Sequence, residues 1–187
     1  MVMPTITVDE RQLKELNDLL GDMPKEVDKI TRRAINYATR SVRTQMVKRV
    51  AKHIGMKQKT IRGRAWQNKA KLRLVGSVRA GKFGWPFGKL SHRQTKQGVS
   101  VKLYGKRRLI PGAFIAKVGD HEGVFVRKGR KRLPIREPRT PSLTRIITEM
   151  NLTPELVTLG EKSVTKEMTR LVTLALARRA AAETEND

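Results

Sequence analysis

"KRRLIPGAFIAKVGDHEGVFVRKGRKRLPI", residues 106 to 135, holds two apolar runs of strand length, a turn between them and three basic clusters. The runs "LIPGAFIAKV" and "GVFVR" flank "GDHEG", and that order predicts an antiparallel hairpin. "RLPI" follows as a further short strand that its proline confines to an edge. Gly112 is expected where a side chain would crowd the turn or a packed neighbour, with Phe114 and Ile115 on opposite faces of the sheet. The charges leave three uses open: a nucleic-acid grip, a catalytic loop, or an element of an assembly.

Upstream, "GVSVKLY" alternates through Val99, Val101 and Leu103, and "KLRLVGSVR" does so through Leu72, Leu74, Gly76 and Val78, as half-buried strands do. Between them "AGKFGWPFGKLSHRQTKQ" is predicted as a long loop, with Trp85 as a lid on the core. The period then changes. "TITV" at 5 to 8 looks like a short strand, and Asp9 caps the helix "ERQLKELNDLL", which Gly21 ends. Asp22 and Pro24 open a second helix, whose apolar positions Val27, Ile30, Ala34, Ala38, Val42, Met46, Val50 and Ile54 advance by three or four residues up to Gly55. "MKQKTIRGRAWQ" adds a short basic helical turn.

Downstream, residues 142 to 150 read as helix, and Asn151 or Thr153 before Pro154 starts a last one to about residue 182. Its apolar positions are Leu156, Leu159, Val164, Met168, Leu171, Leu174 and Leu176, and "AAAETEND" is expected to fray. Helices and strands are segregated, so the fold class is α+β: a long N-terminal helix packed on a small antiparallel sheet, with C-terminal helices. The 187 residues form one expected domain. It comprises an arm (1–23), a long basic helix region (24–66), the sheet (69–136) and C-terminal helices (142–182).

Charge is the strongest compositional signal: 41 Lys and Arg face 17 Asp and Glu, for a net +24. Residues 1–28 carry net −4, residues 29–119 hold 25 cations and no acid, and residues 120–187 carry net +3. A lone chain with such a segment repels itself, which points to DNA or an acidic protein surface as partner. Candidate DNA or partner contacts are Arg32, Arg33, Arg40 and Arg43 on the long helix, and Lys106, Arg107, Arg108, Lys128, Arg130, Lys131 and Arg132 around the hairpin. Aromatics make up only 4%, too few to stack on successive bases, so nucleic-acid binding would be directed at the backbone and tolerant of sequence.

Catalytic chemistry has little footing. No cysteine is present, which excludes thiolate catalysis and Cys-ligated metals. His53, His92 and His121 stand at a helix end, in a loop and in a turn, without metal-ligand spacing, and Asp120, His121 and Glu122 are adjacent in a turn and do not converge on one ion. Neither GxxxxGK[ST] nor GxGxxG occurs, and Ser91 beside His92 has no third partner for a triad. No enzyme activity, cofactor or metal is expected. The start "MVMPTITVDERQL" lacks signal-peptide zones, and no apolar run approaches a membrane span, so no membrane association is expected.

"RRLIPGAFIAKV…GVFVRKGRKRLPI", with its basic lead-in, P-G-A-F-I strand, V-x-V-R return and R-x-P-I close, resembles the lambda-type minor tail protein Z family of tailed bacteriophages. "RRAINYATRSVRTQMVKRVAKHIGMKQKTIRGRA" is similar to that family's helical part, and together the likeness covers roughly residues 25 to 150. It implies a structural tail completion protein without catalytic residues. By analogy it acts at the head-proximal end of the virion tail, assembles in the host cytoplasm and forms a sixfold homo-oligomeric ring. The ring would contact the tail terminator, the tube or other neck proteins, and the end of the packaged DNA. Pro111, Gly112, Ala113, Phe114, Arg132 and Pro134 become its structural hairpin. A ring also gives the acidic first helix of one subunit the basic segment of another to face. The acidic first 28 residues and the long C-terminal helix depart from the resemblance. The other reading is a sequence-nonspecific DNA- or RNA-binding protein with the composition of a ribosomal protein.

Overall fold

The computed structural model describes residues 4–20, 24–71 and 73–184. Gly21, Asp22 and Leu72, expected as helix stop, helix start and strand position, lie outside the described residues. In chain order the elements are β1 (Thr5–Ile6), α1 (Glu10–Leu20), α2 (Pro24–Ile54), α3 (Gln58–Arg62), β2 (Ala65–Asn68), β3 (Gly76–Ala80), β4 (His92–Thr95), β5 (Gly98–Leu103), β6 (Lys106–Pro111), β7 (Ala113–Val118), β8 (His121–Arg127), β9 (Ile135–Arg136), α4 (Leu143–Glu149) and α5 (Leu152–Thr184). The class is α+β. Among the described residues the strands form three three-stranded sheets, β1-β3-β2, β4-β5-β6 and β7-β8-β9.

Two compact units divide the chain. The first comprises residues 1–46, 66–79 and 151–187. Its core follows the stripe of α2, where Val27, Ile30, Ala34, Ala38, Val42 and Met46 are all buried together with Ile6, Leu16, Leu20, Leu156, Val164 and Leu171. Small residues let these elements close up. A Cβ on Gly160 of α5 would lie 3.2 Å from Ile6, and one on Gly76 would lie 2.4 Å from the Thr39 hydroxyl of α2. Asn36 of α2 acts as a surrogate peptide: its Oδ1 accepts from the Ala70 amide at 2.8 Å and its Nδ2 donates to the Ala70 carbonyl at 3.3 Å. The last helix runs further than expected, to Thr184, so residues 180 to 184 are helical rather than frayed. Leu174 and Leu176 are exposed at the end of its stripe.

The second unit holds residues 47–65 and 80–150. Here Val50 and Ile54 from the end of α2 are buried, as are Ile61, Val99, Val101, Val124, Leu143 and Ile146. Gly55 stops α2 as expected: with φ of +81°, it donates its amide back to the Ala51 carbonyl at 2.9 Å. Ser142 caps α4 by accepting from the Arg145 amide at 3.2 Å.

Four expectations about the strands are corrected. "LIPGAFIAKV" is two strands, because Gly112 at φ +66° turns the chain between them: β6 pairs with β5, and β7 pairs antiparallel with β8 as expected. No heavy atom comes within 4 Å of a Cβ built on Gly112, so its handedness, not crowding, requires glycine there. The loop at 80–97 contains β4, whose His92 to Thr95 pair with Val101 to Gly98 of β5, and a 3₁₀ turn at Phe87–Lys89. "AWQN" at 65–68 is β2, not helix, and the strand expected over 71–79 is confined to β3.

Candidate functional site

The hairpin's charged ends are built on well-ordered pairing. Phe114 of β7 sits opposite Phe125 of β8, their rings 6.3 Å apart, and the Arg127 guanidinium lies over the Phe114 ring at 5.4 Å. Ala113 is buried, which anchors β7. Val118 pairs with His121 across the two-residue turn Gly119–Asp120. His121 therefore begins a strand rather than sitting in a turn, and its Nε2 contacts Glu137 Oε1 at 2.8 Å. Between β8 and β9 the chain forms a closed loop: the Lys128 amide donates to the Pro134 carbonyl at 3.1 Å, and every residue from Lys128 to Pro134 is exposed. Lys128, Arg130, Lys131 and Arg132 crowd this tip beside Leu133, which is 66% exposed. The Leu133–Pro134 peptide is cis.

Lys106, Arg107 and Arg108 are the first residues of β6, an edge strand. They pair with Leu103, Lys102 and Val101, so Lys106 and Arg108 share one face and Arg107 takes the other. Cations along a free strand edge also discourage unwanted pairing. Pro111 ends β6 in an exposed position. In the first unit, Arg32, Arg33 and Arg40 are exposed on α2 and Arg43 is half-buried. Arg43 has a partner of its own. The predicted contacts thus fall into a helical set in one unit and two strand-end sets in the other.

Reading the sequence alone missed a polar knot in the second unit. Arg64 donates through Nη1 to the Gly84 carbonyl at 2.7 Å and to the Phe83 carbonyl, while its guanidinium lies 5.3 Å from the Trp85 ring centre. Burial and the neighbouring Arg139 push its pKa down from the ordinary arginine value. Trp85 is 3% exposed, a lid on the core as expected. Its amide donates to Thr140 Oγ1 at 2.9 Å and its carbonyl accepts from the Thr140 amide at 2.8 Å. The Gly-rich loop is thereby tied to the proline-rich segment after β9.

Gln94 on β4 was likewise missed. Its Oε1 accepts from the Ile115 amide at 3.0 Å, and its Nε2 faces the carbonyls of Gly98 at 3.1 Å and Ala113 at 3.4 Å. One side chain thus links β4 to β7. The histidines serve locally: His53 packs on Tyr104 with ring centres 4.9 Å apart, and His92, which opens β4 rather than lying in a loop, places Nδ1 2.8 Å from the Leu90 carbonyl. Among the described residues, no group of three or more His, Asp and Glu is placed to hold a metal ion. No described helix is long and apolar enough to cross a membrane.

In the second unit these residues place exposed cations on paired strands and on a closed loop. Residues 10–180 match the family model for prophage minor tail protein Z (GPZ). The match reaches beyond residues 25 to 150 to take in α1 and most of α5, the two helices that had seemed to depart from the resemblance. No curated protein and no solved structure matches.

Proposed function

Because the chain belongs to the prophage minor tail protein Z family, we propose that it completes the head-proximal end of a phage tail and supports joining of the tail to a DNA-filled head, as a ring-forming, sixfold neck component. The observation that carries this reading is the family match over residues 10–180. The chemistry agrees with a structural role. Cations stand on paired strands and on a loop closed at its base, which suits binding an extended acidic surface. In this reading Arg32, Arg33, Arg40 and Arg43, Lys106 to Arg108 and the tip Lys128 to Arg132 contact the tail terminator, the tube, other neck proteins or the end of the packaged DNA, and the protein resides in the virion.

A phage carrying a stop codon early in this gene tests the proposal. Electron micrographs of its lysate should show filled heads and full-length tails that are not joined, and antibody to the chain should mark the head-proximal end of wild-type tails. Joined, infectious particles without the protein, or label at the distal tip, would overturn it. A second reading, sequence-nonspecific binding of DNA or RNA, is favoured by the net charge of +24 and is compatible with a place beside packaged DNA.

A further inference from the structure

In a chain so rich in cations, one groove is lined by carboxylates, apolar groups and uncharged Thr and Gln side chains, with no cation among them. It runs between α1 and α5 in two parts that share Gln12 and Thr165, whose side chains hydrogen-bond across it at 3.0 Å. The first part, a cavity of about 460 Å³, carries Asp9 and Glu161. The second, about 310 Å³, has Leu16, Leu19, Met168 and Val172 along it, with Glu15 among its lining residues. Leu19 is 57% exposed there, so an apolar surface is on offer. Thr165, Thr169 and Thr173 turn their hydroxyls onto the carbonyls four residues back, at 3.2, 3.1 and 3.0 Å, and so add no free donor. Both helices carry cations, among them Arg11, Lys14, Lys162 and Lys166, but no Lys or Arg lines either part.

Phosphate is repelled by such a lining, so the occupant that fits is a basic polypeptide with an apolar side chain to bury. The chain itself supplies one. Its Lys128–Pro134 loop presents four cations around Leu133, 66% exposed. We propose that this loop of one copy docks into the α1–α5 groove of a second copy, with Leu133 on the apolar floor and Lys131 and Arg132 toward Glu15 and Glu161. The two patches differ, so the contact is head-to-tail and propagates from copy to copy, which closes into a ring when the rotation allows. This inference rests on the reading of the chain as an assembly protein and adds the surfaces through which copies meet.

The test uses two full-length variants, Glu15→Lys with Glu161→Lys in the groove and Lys131→Glu with Arg132→Glu in the loop. All four residues are exposed, and circular dichroism checks that both variants fold. Light scattering should show the wild type assembled, each variant monomeric with self-association weakened at least tenfold, and an equimolar mixture of the two assembling again with alternating copies, since the intact loop of one variant meets the intact groove of the other and the reversed loop meets the reversed groove. The four substitutions combined in one chain should restore assembly. A monomeric wild type, a variant that assembles like the wild type, or failure of both the mixture and the four-fold variant would overturn the docking. Complementation of the stop-codon phage separates the two ideas. Variants that stay monomeric yet rescue infectivity sink the docking and leave the tail role standing. The expected scattering pattern from a chain never found on tails sinks the tail role and leaves the docking.

Discussion

Tyr104 and Gly105 form the two-residue turn between β5 and β6, both with positive φ, at 55° and 75°. Gly105 accepts that conformation freely, but tyrosine is strained in it. Its residue identity is explained by packing: the ring meets His53, and its backbone amide donates to the Ile54 carbonyl at 3.3 Å. The hydroxyl, however, is buried without a hydrogen-bond partner. Burial, then the charge of Glu149, pushes its pKa up from the ordinary tyrosine value. Tyr104→Phe keeps the ring and removes the orphaned group, so it should stabilise the protein by about 1 kcal/mol, read from denaturant midpoints. The sign with pH follows. An acid whose pKa is raised on folding favours the neutral folded form, so stability falls as pH rises past the ordinary tyrosine pKa, and the phenylalanine variant should lose less there. A second comparison separates two uses of glycine. A Cβ at Gly84 would lie 1.6 Å from the Thr140 carbonyl oxygen, inside the knot around Trp85, whereas one at Gly112 meets nothing within 4 Å. Gly84→Ala should cost more than about 3 kcal/mol or prevent folding, and Gly112→Ala only the left-handed penalty of about 1 kcal/mol. Equal melting temperatures for the two would contradict this.

Among elements, β4 is the informative one. "HRQT" has no apolar alternation because its worth to the fold lies in Gln94, which reaches β7 by side chain where no backbone ladder is made. Gln94→Ala should destabilise by about 1 to 2 kcal/mol, with faster exchange at the Ile115 amide, while Gln94→Glu keeps the acceptor and should retain part of that protection. Unchanged exchange at Ile115 would show that the link carries no stability. The same feature explains what was legible beforehand. The α2 stripe was read residue by residue because burial there follows a 3.6-residue period, and all eight positions of the stripe from Val27 to Ile54 are indeed buried. The β7–β8 pairing was legible in its apolar runs. What escaped was specified by polar groups: "AWQN" in β2, "HRQT" in β4, and the Arg64–Trp85–Thr140 knot, whose bonded partners are up to 55 positions apart. The break at Gly112 escaped for a different reason, since a left-handed glycine inside a continuous apolar run leaves hydropathy untouched. At the candidate site, the cations were visible as clusters, but the closed Lys128–Pro134 loop and the acid-lined groove depend on which residues meet.

For the molecule as a whole, the question is how an acidic start and a basic middle divide their work. Deleting residues 1–28 is a poor probe of assembly. Ile6, Leu16 and Leu20 are core residues, each worth about 1.5 to 3 kcal/mol of burial, so the deletion removes fold along with charge. Point changes on exposed cations are cleaner, and β6 allows a directional one. If DNA lies against this strand, its backbone meets one face. Lys106 and Arg108 share a face and Arg107 is on the other, so the two sets need not contribute equally. Each phosphate contact contributes about 0.9 to the slope of log affinity against log salt. Lys106→Ala with Arg108→Ala should therefore flatten the slope for duplex DNA by about 1.8, and Arg107→Ala by less than half as much, with no dependence on DNA sequence. The reverse ordering would mean that DNA meets the Arg107 face. Slopes unchanged in both variants would mean that free DNA does not meet β6, and loss of assembly by the same variants would then assign the strand to an acidic protein neighbour.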